Sequence, residues 1–150
     1  MKMTARHSSR NGQSGVMLLE ALIGILIFSL GILAMVGMQS VAIRLATDSR
    51  ERAEASNLAN QLIGQMWVNR VALASYQYSG SGSAPAALTS WIAQVNAALP
   101  NAATSPPIVT VGASPWAAGA SVGTQTTVTL RWSSPTDPTV HQYVMTAYIN

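Results

Sequence analysis

Val16–Met38 reads VMLLEALIGILIFSLGILAMVGM, 23 residues with a single charge, Glu20, and no proline. As a helix rising about 1.5 Å per residue it is roughly 35 Å long, enough to cross a bilayer core with some tilt. The fifteen residues before it carry Lys2, Arg6 and Arg10 and no acid. By the positive-inside rule that basic stretch stays cytoplasmic and sends the C-terminus outward. The apolar run is too long for a cleaved secretory signal, and no small-x-small cleavage site follows it. Glu20 is the anomaly. A carboxylate within such a run costs roughly 3 kcal/mol to insert, and a group retained at that cost is a functional candidate. Glu20 either sits at the interface and snorkels, or awaits a cation from another chain.

The composition around this stretch is equally one-sided. Of 150 residues, 49% are apolar and 9% charged, against about a quarter charged in an ordinary globular chain. Disorder is excluded, because it needs charge and little hydrophobicity. There is no Cys, so no disulfide framework, thiolate zinc site, iron–sulfur cluster or Cys nucleophile is available. The net charge of +3 belongs to residues 1–15. From Val16 onward Arg44, Arg50, Arg52, Arg70 and Arg131 are balanced by Glu20, Asp48, Glu51, Glu54 and Asp137. The basic balance therefore gives no reason to expect nucleic acid as a partner.

Gly15–Val16–Met17–Leu18–Leu19–Glu20, after a short basic leader and before an apolar helix, resembles the signal of the type IV prepilin family. The resemblance implies cleavage between Gly15 and Val16 by a prepilin peptidase, with Lys2, Arg6 and Arg10 as leader charges. It implies N-methylation of the new first residue, Val16, where the family usually has Phe. It also implies that Glu20 neutralises the N-terminal amine of a neighbouring subunit during assembly. Physics agrees with that role. An α-amine at Val16 and a carboxylate at Glu20 are each costly alone in a low-dielectric core and tolerable as a pair between chains. Gly24, Gly31 and Gly37 punctuate the run, either as ordinary membrane-helix composition or as points of close helix packing or local melting.

Helical patterning continues beyond the membrane stretch. From Gln39 to about Leu73 there is no Pro and one Gly, Gly64. Arg44/Asp48, Asp48/Arg52 and Arg50/Glu54 are i,i+4 pairs of opposite charge. This cluster reads as a solvated helix face or as a contact with neighbouring subunits. Ala55, Leu58, Ala59, Leu62 and Met66 form one apolar stripe that predicts burial against a globular head. Leu33–Gln39 together with NLANQLIGQMWVNR (57–70) is similar to the PilV-like minor pilins, and similar also to the minor pseudopilins of type II secretion.

In the head, Tyr76–Ala87 reads as a loop. Thr89 or Ser90 is placed to cap a short helix through Leu99, with Trp91, Val95 and Leu99 on one face. Ile108–Val111 predicts a short strand. Thr124–Trp132 alternates as a half-buried strand, and Val140–Ile149 is rich in β-formers, with Ser133–Thr139 as the loop between them. Trp67, Trp91, Trp116 and Trp132 read as core, with Trp116 the best of them for an exposed contact. The fold expected is α+β and pilin-like: a long N-terminal helix packed against a small C-terminal antiparallel sheet. Its parts are a cleaved leader (1–15), a transmembrane half-helix (16–38), a periplasmic half-helix (39–73) and a head (74–150).

Catalysis has little to work with. Residues 74–150 hold Arg131, Asp137 and His141 and no other charged or imidazole side chain. No acid–base pair, metal cluster, nucleophile motif or phosphate loop can be assembled from them, so no enzyme activity, metal or cofactor is expected. His141 either bonds Asp137 or stays in solvent. One Arg in the head argues against direct DNA binding, which needs a basic stripe.

The expectation is a structural minor pilin, held in the inner membrane by one span with a periplasmic head and then built into a pilus fibre. The resemblance implies other minor and major pilins, the prepilin peptidase and the inner-membrane assembly machinery as partners in a hetero-oligomeric filament. It implies roles in priming assembly and through it in twitching motility, attachment or DNA uptake. A type II secretion pseudopilin and a pilus-tip ligand-binding subunit are the alternatives.

Overall fold

Fifty-six residues without a proline form one continuous α-helix, α1 (Gln13–Val68). A computed structural model describes residues 13–113, 123–135 and 137–150. The chain divides into two compact units, Met1–Leu45 and Ala46–Asn150.

In the first unit every residue from Gly15 to Leu45 is exposed. This helix is long and apolar enough to cross a membrane. Ser29, a polar residue inside the run, turns its hydroxyl back onto the Ile25 carbonyl at 2.7 Å, which removes the cost of an unmet donor in an apolar medium. The glycines do not break the helix. Gly24, Gly31 and Gly37 all lie within α1, and no atom beyond the local helix backbone stands within 4 Å of where a Cβ would be.

In the second unit the predicted stripe is buried: Ala55, Leu58, Ala59, Leu62 and Met66, joined by Ile63. The helix stops at Val68 rather than running to Leu73. Asn69 (φ −108°, ψ 41°) leaves helical space, and the chain goes on as a 3₁₀ segment over Arg70–Tyr76 that is itself kinked at Ala72. That change of direction buries Leu73 and Tyr76. No Gly or Pro marks the stop, so tertiary burial decides it. Helix α2 (Thr89–Ala98) follows, with Trp91, Val95 and Leu99 buried as one face. The expected hydroxyl cap is absent. A 3₁₀ turn, Ala86–Leu88, runs directly into α2, and Thr89 sits inside the helix with its hydroxyl donating to the Pro85 carbonyl at 3.2 Å.

The sheet has three antiparallel strands in the order β1 (Ile108–Ala113), β2 (Thr124–Ser134), β3 (Asp137–Ile149). All three run longer than their patterns predicted. The seven-residue loop shrinks because Ser134 still pairs with Asp137, across a register irregularity after Trp132. On β2 the alternation is kept, with Thr126, Val128, Leu130 and Trp132 buried. The hairpin is thus one part of a sheet, and a lone hairpin would be marginal in water. Tyr78 adds a bridge to the free edge of β1 through paired backbone bonds with Val109. Gly123, at φ +53°, leads into β2 so close to β3 that a Cβ would lie 2.8 Å from the Ile149 carbonyl oxygen. The α1 stripe, α2, β1, β2 and the end of β3 share one hydrophobic core. The architecture is the α+β, pilin-like layout expected.

Candidate functional site

The residues singled out from the sequence fall at the start of α1. The Gly15–Val16 bond lies within α1, close to the first described residue, Gln13. Val16 and Glu20 are one turn apart and share a face of the helix. Both are exposed along the chain. Glu20 has no hydrogen bond or ion pair among the described residues, whereas Ser29 is satisfied within the helix. Lys2, Arg6 and Arg10 lie outside the described residues.

The charged stretch beyond Leu45 is not simply a solvated face. Of the three expected pairs, Asp48/Arg52 closes, with Arg52 Nε 3.0 Å from Asp48 Oδ2. Arg44/Asp48 and Arg50/Glu54 do not. Glu51 is buried, with 9% of its surface exposed, and its Oε2 accepts a 2.9 Å hydrogen bond from the indole N–H of Trp132. A bond between residues 81 positions apart leaves no mark in local spacing.

His141 is half-buried rather than free in solvent. Its ring stacks on Trp132 with centroids 5.9 Å apart. Its Nε2 lies 3.6 Å from Asp137 Oδ2 and its Nδ1 3.9 Å from Asp48 Oδ1. Of the two alternatives read from the sequence, the approach to Asp137 is the one seen, and Asp48 was not foreseen. Two hydrogen bonds from Thr139, one from its side chain and one from its backbone, hold the Asp137 carboxyl below its ordinary value, with His141 adding to the effect.

The tryptophans divide. Trp91 and Trp132 are fully buried, and Trp91 donates its indole N–H to the Leu58 carbonyl at 2.9 Å. Trp67 does not join the core: it is 45% exposed, because its position lies off the 55–66 stripe. Trp116 lies outside the described residues. Among the described residues no group of three His, Cys, Asp or Glu side chains is placed to hold a metal ion.

Compared with protein-family models, curated proteins and solved structures, the chain matches none. The chemistry of these residues therefore carries the functional reading. Two features stand out among the described residues: an apolar helix stretch whose Glu20 has no partner, and a buried Glu51 bonded to Trp132.

Proposed function

We propose that this chain is a structural subunit, a PilV-like minor pilin that is inserted in the inner membrane and then built into a type IV pilus. The observation that carries the reading is Glu20, a carboxylate with no partner among the described residues, on a bare apolar stretch of helix and one turn after the Gly15–Val16 bond. Cleavage at that bond creates an amine at Val16, and N-methylation leaves its charge in place. The amine of one subunit meets the Glu20 carboxylate of the next where water is excluded, so the pair fixes register as well as joining the chains. The apolar helix forms filament core with other minor and major pilins, and the head makes lateral contacts. The chain acts as a filament component and not as an enzyme. Its contribution to motility, attachment or DNA uptake runs through priming of the pilus.

The test is Glu20→Ala in cells that make the filament. The variant should accumulate in the membrane fraction at the normal level, be cleaved, and vanish from the sheared filament fraction. Normal incorporation of Glu20→Ala into filaments would overturn the proposal.

A further inference from the structure

We propose that His141 is a pH-sensitive clamp: on taking up a proton, its ring bridges Asp48 of α1 and Asp137 of β3 and fastens the β2–β3 turn to the helix. This goes beyond the assembly role above and does not rest on it. The ring stands between two carboxylates on different elements. Its Nδ1 lies 3.9 Å from Asp48 Oδ1 and its Nε2 3.6 Å from Asp137 Oδ2. Both distances exceed the reach of a hydrogen bond, so the clamp stands open in this structure. Closing both to about 2.8 Å takes about 1 Å of side-chain movement. The oxygen that faces Nδ1 carries the inference. Asp48 Oδ1 is sealed from water and has no hydrogen-bond partner among the described residues, a state that costs free energy until a donor reaches it.

A neutral imidazole cannot meet both carboxylates. It carries one N–H and one bare lone pair, so one of its nitrogens turns that lone pair toward an anion. The imidazolium has a donor on each nitrogen and serves both oxygens. From β2, Trp132 stacks on the ring with centroids 5.9 Å apart and planes 26° apart, and an indole face attracts a cation at that range. The same indole gives its N–H to the Glu51 carboxylate of α1, which adds negative charge to the neighbourhood. From β3, Asp137 stays ionised through the histidine range, because its Thr139 bonds hold its carboxyl below its ordinary value. Arg52 of α1 works the other way. It holds Asp48 Oδ2 at 3.0 Å and offsets part of that charge, but from the oxygen that His141 does not face. Only 18% of the His141 side chain is exposed, so these charges act with little screening. Burial by itself disfavours the cation, and the two carboxylates replace the hydration it loses.

A folded chain that holds this proton gains stability as pH falls through the histidine range and loses it as pH rises. The test is a double-mutant cycle on the full chain in detergent micelles, with Asp48→Asn, His141→Gln and both together. Each protein is unfolded by denaturant, followed by tryptophan fluorescence, at about pH 5.5 and about pH 8, on either side of the ordinary histidine value of about 6.5. The cycle isolates the coupling between the two side chains. That coupling should favour the folded state by at least about threefold at the acid pH and by less than about 1.5-fold at the alkaline one. Coupling of equal size at both pH values, which a contact without a proton would give, or no coupling at either, would overturn the proposal. If a variant fails to fold, the native ring decides. In a His7→Gln background His141 is the one imidazole left in the sequence. With ¹⁵N-labelled histidine at the acid pH, both of its ring N–H protons should be visible and slow to exchange. Exchange as fast as in free histidine overturns the clamp.

Discussion

Between Val16 and Met38, α1 carries apolar residues around its whole circumference, and all of them are exposed. Between Ala55 and Met66 it carries them on one stripe, and that stripe is buried. The contrast lies in where each half finds its apolar surroundings. A helix that is apolar on every side needs a lipid phase or other helices around it. A striped helix needs only one face covered, and α2 and the sheet of this chain cover it. The polar exceptions follow the same division. Glu51, in the striped half, is met by Trp132 of the same chain. Glu20, in the bare half, is met by nothing among the described residues.

Substitutions in matched pairs test that contrast, and the largest difference belongs to leucine. Leu62→Ala removes a fully buried side chain and should cost about 2–5 kcal/mol in chemical denaturation followed by tryptophan fluorescence in micelles. Leu26→Ala, at a position 59% exposed, should change the stability of the head by less than about 0.5 kcal/mol. Equal costs would erase the distinction between the halves.

The carboxylates form the second pair. Glu51→Ala strands the buried indole N–H of Trp132 and should cost about 1–3 kcal/mol. Glu20→Ala should leave the denaturation midpoint of the head where it was, and a shift as large as that of Glu51→Ala would show that Glu20 serves the head after all.

Glycine gives a smaller effect of the same kind. At Gly123 the φ of +53° and the nearby Ile149 carbonyl penalise any side chain, so Gly123→Ala should cost about 1 kcal/mol or more on heating. Gly24→Ala, with open space around it, should leave the melting temperature of the head unchanged.

The smallest effect concerns pH. The carboxyl of Asp137 is held below its ordinary value by the Thr139 bonds. A lowered carboxyl stabilises the fold above the unfolded value, and the stabilisation is lost as pH falls through the folded one. Asp137→Asn should therefore lower the stability of the head slightly at neutral pH, and that deficit should fade as pH falls below about 4. A deficit that persists undiminished into strong acid would contradict that assignment.

Much of this was legible along the chain. The bare half announces itself by length and composition, and the stripe at 55–66 by its 3.6-residue period. The β2 alternation of Val128, Leu130 and Trp132 marks a half-buried strand, and the sheet keeps it. What stayed hidden is set by distance in sequence. The end of α1 at Val68 depends on Leu73 and Tyr76 finding the core, and no local breaker signals it. The burial of Glu51 depends on a tryptophan on β2, and the approach of Asp48 to His141 on a residue of β3. Local spacing read that charged stretch as a solvated face or a subunit contact, because nothing within one helix tells a buried carboxylate from a free one. The site at the start of α1 was the reverse case. Gly15, Val16 and Glu20 lie within six residues, so their relation is fixed by one turn of helix.

The central claim is that the bare half of α1 is made to be processed and then covered by other subunits. Intact mass and N-terminal sequencing of the protein taken from its own membranes test this most directly. The account predicts a chain beginning at N-methyl-Val16, and a longer, unprocessed chain in a strain without the peptidase. A chain that still begins at Met1 in normal cells, or one cut after Met38, would contradict it and leave Glu20 without its assigned partner.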